Sequence, residues 1–401
     1  MIGLNILRAG ALAAALLLAQ AAPALAQNTV RPEVGKPLQA ADSLFKAKKY
    51  REALAKVAEA DAATGKTAYE SYVIQRTRGS ISAAAGDHAA AARDFEAVIA
   101  TGRNTGAEQL RLIQAVAGLH YHARDYAKSA QWSARYQKEG GTDPAMQTLL
   151  VQSHFLLNDC AAVSRAVGQG NGRKPTEQEL QMLANCYNKQ KDSTGYVAAI
   201  ERLVTYYPKK EYWTDLLNRV QKKSGFSDRL SLDVFRLKLA TGNVTTANDF
   251  LEMAQLAIQA GFPAEAKSVV DKGYEAKALG TGKEAERHQR LRDLVARRLA
   301  EATQARDQVE RDALADKGGD ALVALGYNYV TEGAAQKGLA FMEQGIKKGG
   351  LKRAEDAKLL LGIAQMQSGS KSRGLQTLKT VGGKDGTADL ARLWILLGQR
   401  A

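Results

Sequence analysis

Residues able to do covalent or metal chemistry are few in this 401-residue chain, and they are scattered. The histidines are His88, His120, His122, His154 and His288. His120 and His122 lie two apart, so a helix turns them to different faces and they do not converge on one ion. His154 sits in an apolar stretch and reads as a packed residue. Cys160 and Cys186 belong to no Cys-x-x-Cys pair that could chelate zinc or run thiol exchange. Also absent are a Gly-x-Ser-x-Gly elbow, a His-Glu-x-x-His pair and a phosphate loop. Gly168, Gly170 and Gly172 lie close together, but no strand precedes them, so they read as a connection. Carboxylates four residues apart recur by chance in any helix-rich chain. The sequence predicts no catalytic residue, no metal site and no cofactor. It points to a binding protein, with an enzyme of dispersed active-site residues as the alternative class.

The first residues bear on compartment. Met1 to Ala26 reads as a secretory signal peptide. Arg8 precedes an apolar run from Ala9 to Ala22, Pro23 breaks it, and Ala24-Leu25-Ala26 is a small-x-small cleavage site. That run is fourteen residues long, short of the roughly 20 that cross a bilayer as a helix. Cleavage after Ala26 and export to the periplasm are expected, with no transmembrane segment afterwards. The chain carries 56 basic and 42 acidic residues, net +14; loss of Arg8 leaves +13. This balance favours acidic partners or anionic surfaces. No basic run is interleaved with aromatics, so nucleic acid is not an expected partner.

The elements that must position any binding residues are helices. Alanine, leucine, lysine, arginine, glutamate and glutamine dominate, prolines number 7, and no alternating Val/Ile/Thr stretch reads as a strand. A period runs through them. The anchors Ala41, Gly79, Ala117, Val151, Ala184, Ala254, Gly326 and Gly362 are spaced 38, 38, 34, 33, 70, 72 and 36 residues apart. The two double intervals leave room for one divergent unit each. After each anchor comes a turn signal and a second apolar helix: Tyr50, Ala53, Val57 and Ala60 in the first unit, Gly86-Asp87, Ala91, Phe95 and Val98 in the second. Such a unit reads as a helical hairpin. The small anchor lets the second helix pack closely, and each hairpin buries its apolar face only by stacking on its neighbours.

Ala41, Tyr50 and Ala53, and again Ala184, Tyr187 and Pro208, resemble the tetratricopeptide repeat. The matched pattern is small-x-x-aromatic in the first helix, Gly/Asp-Tyr-x-x-Ala at the turn and proline at the end. The fourth unit departs from it, with Val151 and Cys160 where a small residue and an aromatic are usual. The resemblance covers roughly residues 38–382; another helical solenoid with a similar hairpin is the competing reading. It implies an all-α superhelical solenoid of about ten stacked antiparallel hairpins. Residues 211–242 and 283–316 form divergent units. The latter reads as a hairpin turning near Ala302, with one long projecting helix as the alternative, and Glu286–Arg290, Asp293–Arg297 and Asp307–Arg311 are opposite charges four apart that suit exposed helix. Residues 27–37 read as a flexible tail, and residues 383–401 as a capping helix using Leu390, Leu393, Trp394 and Leu397.

The resemblance further implies a scaffold whose first helices hold a peptide or partner protein. The lining positions carry over to Gln114, Tyr121 and His122 in the third unit, and to Gln178, Gln181, Asn185, Asn188 and Lys189 in the fifth. The run Tyr206-Tyr207-Pro208-Lys209-Lys210-Glu211-Tyr212-Trp213 and the later Lys348-Gly349-Gly350-Leu351 are similar to secreted proteobacterial members, some associated with TonB-type systems. An accessory role in such a system is implied. The alternative is an envelope structural protein that binds peptidoglycan or an anionic membrane surface. Cys160 and Cys186 are expected to form a disulfide, because the periplasm is oxidising and the repeat phase puts both toward one edge of adjacent units. Two buried free thiols are the alternative.

Overall fold

The structure is a computed structural model and describes residues 28–168 and 172–399. The signal-peptide segment, Met1 to Ala26, lies outside the described residues. Secondary structure is helical throughout the described residues, as the composition predicts. The chain divides into two compact units, meeting at Asn171 and Gly172 in sequence. The sequence reading expected one uninterrupted stack.

Unit 1 holds α1 (Pro32–Lys46), α2 (Tyr50–Asp61), α3 (Ala68–Ala85), α4 (His88–Ala100), α5 (Gly106–His122), α6 (Tyr126–Lys138), α7 (Pro144–Leu156) and α8 (Cys160–Gly168). Helices pair in order as hairpins, and each hairpin packs on the next. The expected tail is shorter than read: α1 starts at Pro32 and runs through Pro37. Pro32 stands at the first helical position, where its missing N–H is no loss. Burial of Val34 and Leu38 holds the first turns despite Pro37.

Unit 2 holds α9 (Glu177–Lys189), α10 (Ser193–Tyr206), α11 (Lys210–Gln221), α12 (Ser231–Ala240), α13 (Ala247–Gln259), α14 (Pro263–Glu275), α15 (Ala285–Ala315), α16 (Asp320–Thr331), α17 (Ala335–Lys348), α18 (Ala354–Gln367), α19 (Lys371–Lys379) and α20 (Thr387–Gly398). The divergent stretch 211–242 is helical as expected, with Trp213 buried in the core. The hairpin expected over 283–316 is instead the single 31-residue helix α15. A reversal at Ala302 would need a residue able to turn the chain, and no glycine or proline stands in that stretch. The helix is held at both ends, by Leu291 and Val295 in one core cluster and by Ala313 in another. Of its expected pairs, Glu286–Arg290 forms at 3.7 Å. Asp293 accepts from Gln289 instead, and Arg311 turns to Gln308.

The glycine anchors stand where paired helices approach closely. A Cβ added to Gly326 would lie 2.5 Å from the Gly338 carbonyl oxygen and 2.6 Å from Met342. One added to Gly362 would lie 2.6 Å from Leu378. The turn that follows each first helix has a single backbone rule. Its hinge residue is left-handed, whether glycine (Gly86, Gly261, Gly333, Gly369) or not (Lys48, Arg124, Asn158, Lys191). An αL residue ends the first helix, and in four of these hairpins an aspartate follows and caps the second: Asp87 and Asp125 accept from the third residue on, as do Asp159 and Asp192.

The terminal helix does more than cover an end. Leu390, Leu393 and Trp394 of α20 are buried, and α20 packs on α18 and α19 and also on α10 and α12. Lys223 meets Asp389 at 2.8 Å, and Arg392 meets Glu201 at 3.0 Å. Arg229 holds Asp356 at 2.8 Å and Asp385 at 2.7 Å. Unit 2 therefore returns its last helix to its opening elements.

Candidate functional site

Surface first helices are positioned by their buried faces. In α9, Leu180, Leu183, Ala184 and Cys186 pack inward. Thr176 and Glu179 cap the helix reciprocally, and Arg173 reaches the buried Glu179 carboxylate at 2.5 Å. This fixes the opposite face. Gln181, Asn185, Asn188 and Lys189 are exposed there, with Gln178 half-buried at its head. The spacing puts them on one stripe of the helix.

The candidate residues are not equivalent. Gln181 donates to the Tyr212 hydroxyl on α11 at 2.7 Å. Gln114 donates to Asp143, the cap of α7, at 2.8 Å. Arg76, at the same place relative to its anchor, reaches Glu108 on α5 at 2.6 Å. The position three before the anchor thus ties one first helix to the next in three hairpins. Gln114 and Gln181, expected on a partner-facing surface, also strap neighbouring repeats. The signal that could have shown it is a polar residue about one repeat later: Glu108, Asp143 and Tyr212.

Sequence reasoning missed the group around Glu177. Tyr212 donates to its carboxylate, and Lys209 lies at 2.6 Å. Bonds from Lys209 and Tyr212 hold the Glu177 carboxyl below its ordinary range. Burial, and then the bond to Glu177, push the Tyr212 phenol up to about 12.

In the third hairpin Tyr121 and His122 do come together, with rings 6.1 Å apart. Tyr126 closes on Tyr121 at 5.5 Å, and His88 lies 5.1 Å from His122. Burial and the neighbouring His88 lower the His122 pKa. Tyr121 is half-buried and His122 exposed. His120 faces elsewhere, as its spacing predicts, and shares Glu96 with Trp132 at 2.7 and 3.0 Å. His154 is half-buried, and burial lowers its pKa. His288 is buried and accepts from the Gly280 backbone at 3.1 Å. Among the described residues no group of three His, Cys, Asp or Glu side chains could hold a metal ion. Cys160 and Cys186 are buried, and neither is a free thiol.

A groove of about 510 Å³ opens between α14, α15 and the end of α16. Two ion pairs form at its lining: Lys267 meets Asp271 at 2.5 Å, and Glu332 meets Arg306 at 2.6 Å. Amides and phenols that can bond a peptide backbone dominate the candidate surfaces.

No protein-family model matches the chain, and no curated protein matches it either. Among solved structures it is similar to the P58(IPK) TPR domain, at 13% identity over 91% of this chain and 98% of that one, with a TM-score of 0.23. It is similar also to yeast Tom70, at 10% identity over 91% and 95%, with a TM-score of 0.25. The hairpin architecture rests on the chain's own helices rather than on these likenesses.

Proposed function

We propose that this chain is a protein–protein interaction scaffold that holds a peptide or a partner protein against its first helices. The observation that carries the reading is the α9 stripe, where Asn185, Asn188 and Lys189 stay exposed while the opposite face is locked in the core. Amides at this spacing can bond a backbone, and Lys189 can meet a carboxylate. The residues of 1–26 support export, so the scaffold works in the periplasm, as an accessory to a TonB-type envelope system. The same compartment supports a disulfide between Cys160 and Cys186. Labelling the denatured, unreduced protein is expected to find no reactive thiol; two per chain would exclude the bond.

The binding reading is tested with a photocrosslinking side chain placed singly in envelope-localised protein. Adducts are expected at Asn185 and Asn188 and not at exposed Thr205 on the second helix α10. Adducts at Thr205 alone, or at none of the three, would end this assignment.

A further inference from the structure

Three connections of unit 2 that lead into a first helix share a composition. They are Lys317-Gly318-Gly319-Asp320, Lys348-Gly349-Gly350 with Lys352 and Arg353, and Gly382-Gly383-Lys384. They lie side by side. The Gly319 N–H donates to the Gly349 carbonyl at 2.8 Å, and the Lys352 N–H donates to Asp320 at 3.1 Å. A Cβ on Gly318 would lie 3.2 Å from the Gly350 oxygen, so the first two loops touch through backbone. The third joins them because the Gly382 N–H donates to Glu355, in the first turn after Arg353.

The two signs of charge on this edge are used differently. Its carboxylates are engaged by the fold. Asp320 takes the Lys352 N–H, Glu355 takes Gly382 and Lys358, and Asp356 and Asp385 both take Arg229. Apart from Arg229 and Lys358, its cations face outward. Lys317, Lys347, Lys352, Arg353 and Lys384 are exposed and have no acidic partner among the described residues. Lys348 bonds only the Leu314 carbonyl, at 3.0 Å. Leu314 itself is 45% exposed at the end of α15, a large apolar side chain beside this row of cations.

We propose that this edge docks on the surface of an anionic lipid bilayer. Uncompensated lysines and arginines beside an exposed apolar side chain are what such a surface attracts, each cation raising affinity roughly fivefold. Lipid headgroups move laterally to meet unevenly spaced cations, which fixed carboxylates on a folded partner do not. Glycines between the cations let headgroups approach the backbone. The edge lies apart from the α9 stripe in sequence and element, and the inference does not rest on the peptide-binding reading.

The test is co-sedimentation of the purified mature chain with phosphatidylcholine vesicles, with and without phosphatidylglycerol. Binding is expected only with phosphatidylglycerol and falls with added salt. The triple change Lys347→Glu, Lys352→Glu and Arg353→Glu is expected to weaken it more than about tenfold. An equal charge change on unit 1, at exposed Lys36, Arg51 and Lys138, is expected to leave most of it. Helical circular dichroism and the melting midpoint check that each variant folds. Should the glutamate triple unfold, the same three positions changed to glutamine carry the test. No binding to phosphatidylglycerol vesicles, or equal losses from the two triples, would overturn the proposal.

Discussion

Unit 1 and unit 2 use the same hairpin but hold it together differently. In unit 1 most side-chain bonds between helices join neighbours: Arg31 to Glu70, Arg78 to Asp61 and Asp94, Gln114 to Asp143. Such a stack is nearly one-dimensional, and its stability is a sum of local terms. Unit 2 adds bonds between residues remote in sequence. Arg229 reaches Asp356 and Asp385, 127 and 156 positions away. Lys223 reaches Asp389, 166 positions away. At its centre Arg236 is 4% exposed and bonds Glu265 at 2.7 and 2.8 Å and Asp233 at 2.7 Å. Tyr327 donates to Glu265 at 3.0 Å, beneath the same guanidinium. Burial pushes the Asp233 carboxyl up, and burial pushes the Tyr327 phenol up as well. The difference teaches that repeat chemistry alone sets the first unit, while closure and a buried charge cluster set the second.

The largest expected effect separates the two directly. Arg236→Ala leaves Glu265 and Asp233 buried without their cation and is expected to destabilise unit 2 by about 3–5 kcal/mol. Arg78→Ala, on half-exposed ground in unit 1, is expected to lose about 1–2 kcal/mol. Urea denaturation measures both, and equal losses would remove the contrast.

Close helix contact comes next. Gly326→Leu must displace the Gly338 backbone and is expected to destabilise by about 3 kcal/mol or more, and Ala184→Leu by about 1–3 kcal/mol. Lys209→Ala, whose partner Glu177 is an exposed-edge pair, is expected to stay within about 1 kcal/mol. Equal denaturation midpoints for these three would show that the repeat phase is misplaced.

The pH response sharpens the comparison, because each unit has one strongly depressed carboxylate. Arg31, with the Thr67 backbone, holds Glu70 at about 2. Thr387, with Arg229, holds Asp385 at about 2. Both folded values lie below the unfolded ones, about 4.3 and 3.9. The unfolded chain therefore binds more protons, so this stability is full above about pH 5 and fades as pH falls toward 2. Arg31→Ala is expected to flatten that acid limb for unit 1 and Arg229→Ala for unit 2. Acid titration of the melting midpoint in each variant checks it, and an unchanged acid limb in both would discard these two clamps.

The smallest effect concerns the turns common to both units. Arg124 and Lys191 sit at φ 62° and 57°, where a Cβ is strained. Arg124→Gly and Lys191→Gly are each expected to stabilise by about 0.5–1 kcal/mol, relief of strain outweighing the added freedom of the unfolded chain. A loss of stability would mean that the native side chains hold these turns in some other way.

Legibility in the sequence followed range. The anchors Ala41 to Gly362 were readable because a hairpin is built from contacts within some thirty residues, so its pattern is written locally. The stripe Asn185, Asn188 and Lys189 was readable for the same reason. The bonds of Gln114 and Gln181 to the next repeat were not legible, because a polar side chain looks the same in sequence whether it faces a ligand or a neighbour. The α15 stretch was ambiguous because charges four apart suit one long helix and two short ones alike. Helix existence, hairpin phase and turn sites follow from periodicity, small residues and left-handed hinges, all properties of adjacent residues. The single long helix, the division into two units, the return of α20 to α10 and α12, and the choice of which charges turn inward depended on tertiary structure. Those depend on surfaces that meet only after local elements exist, and burial decides there whether a charge must find a partner or can remain in water.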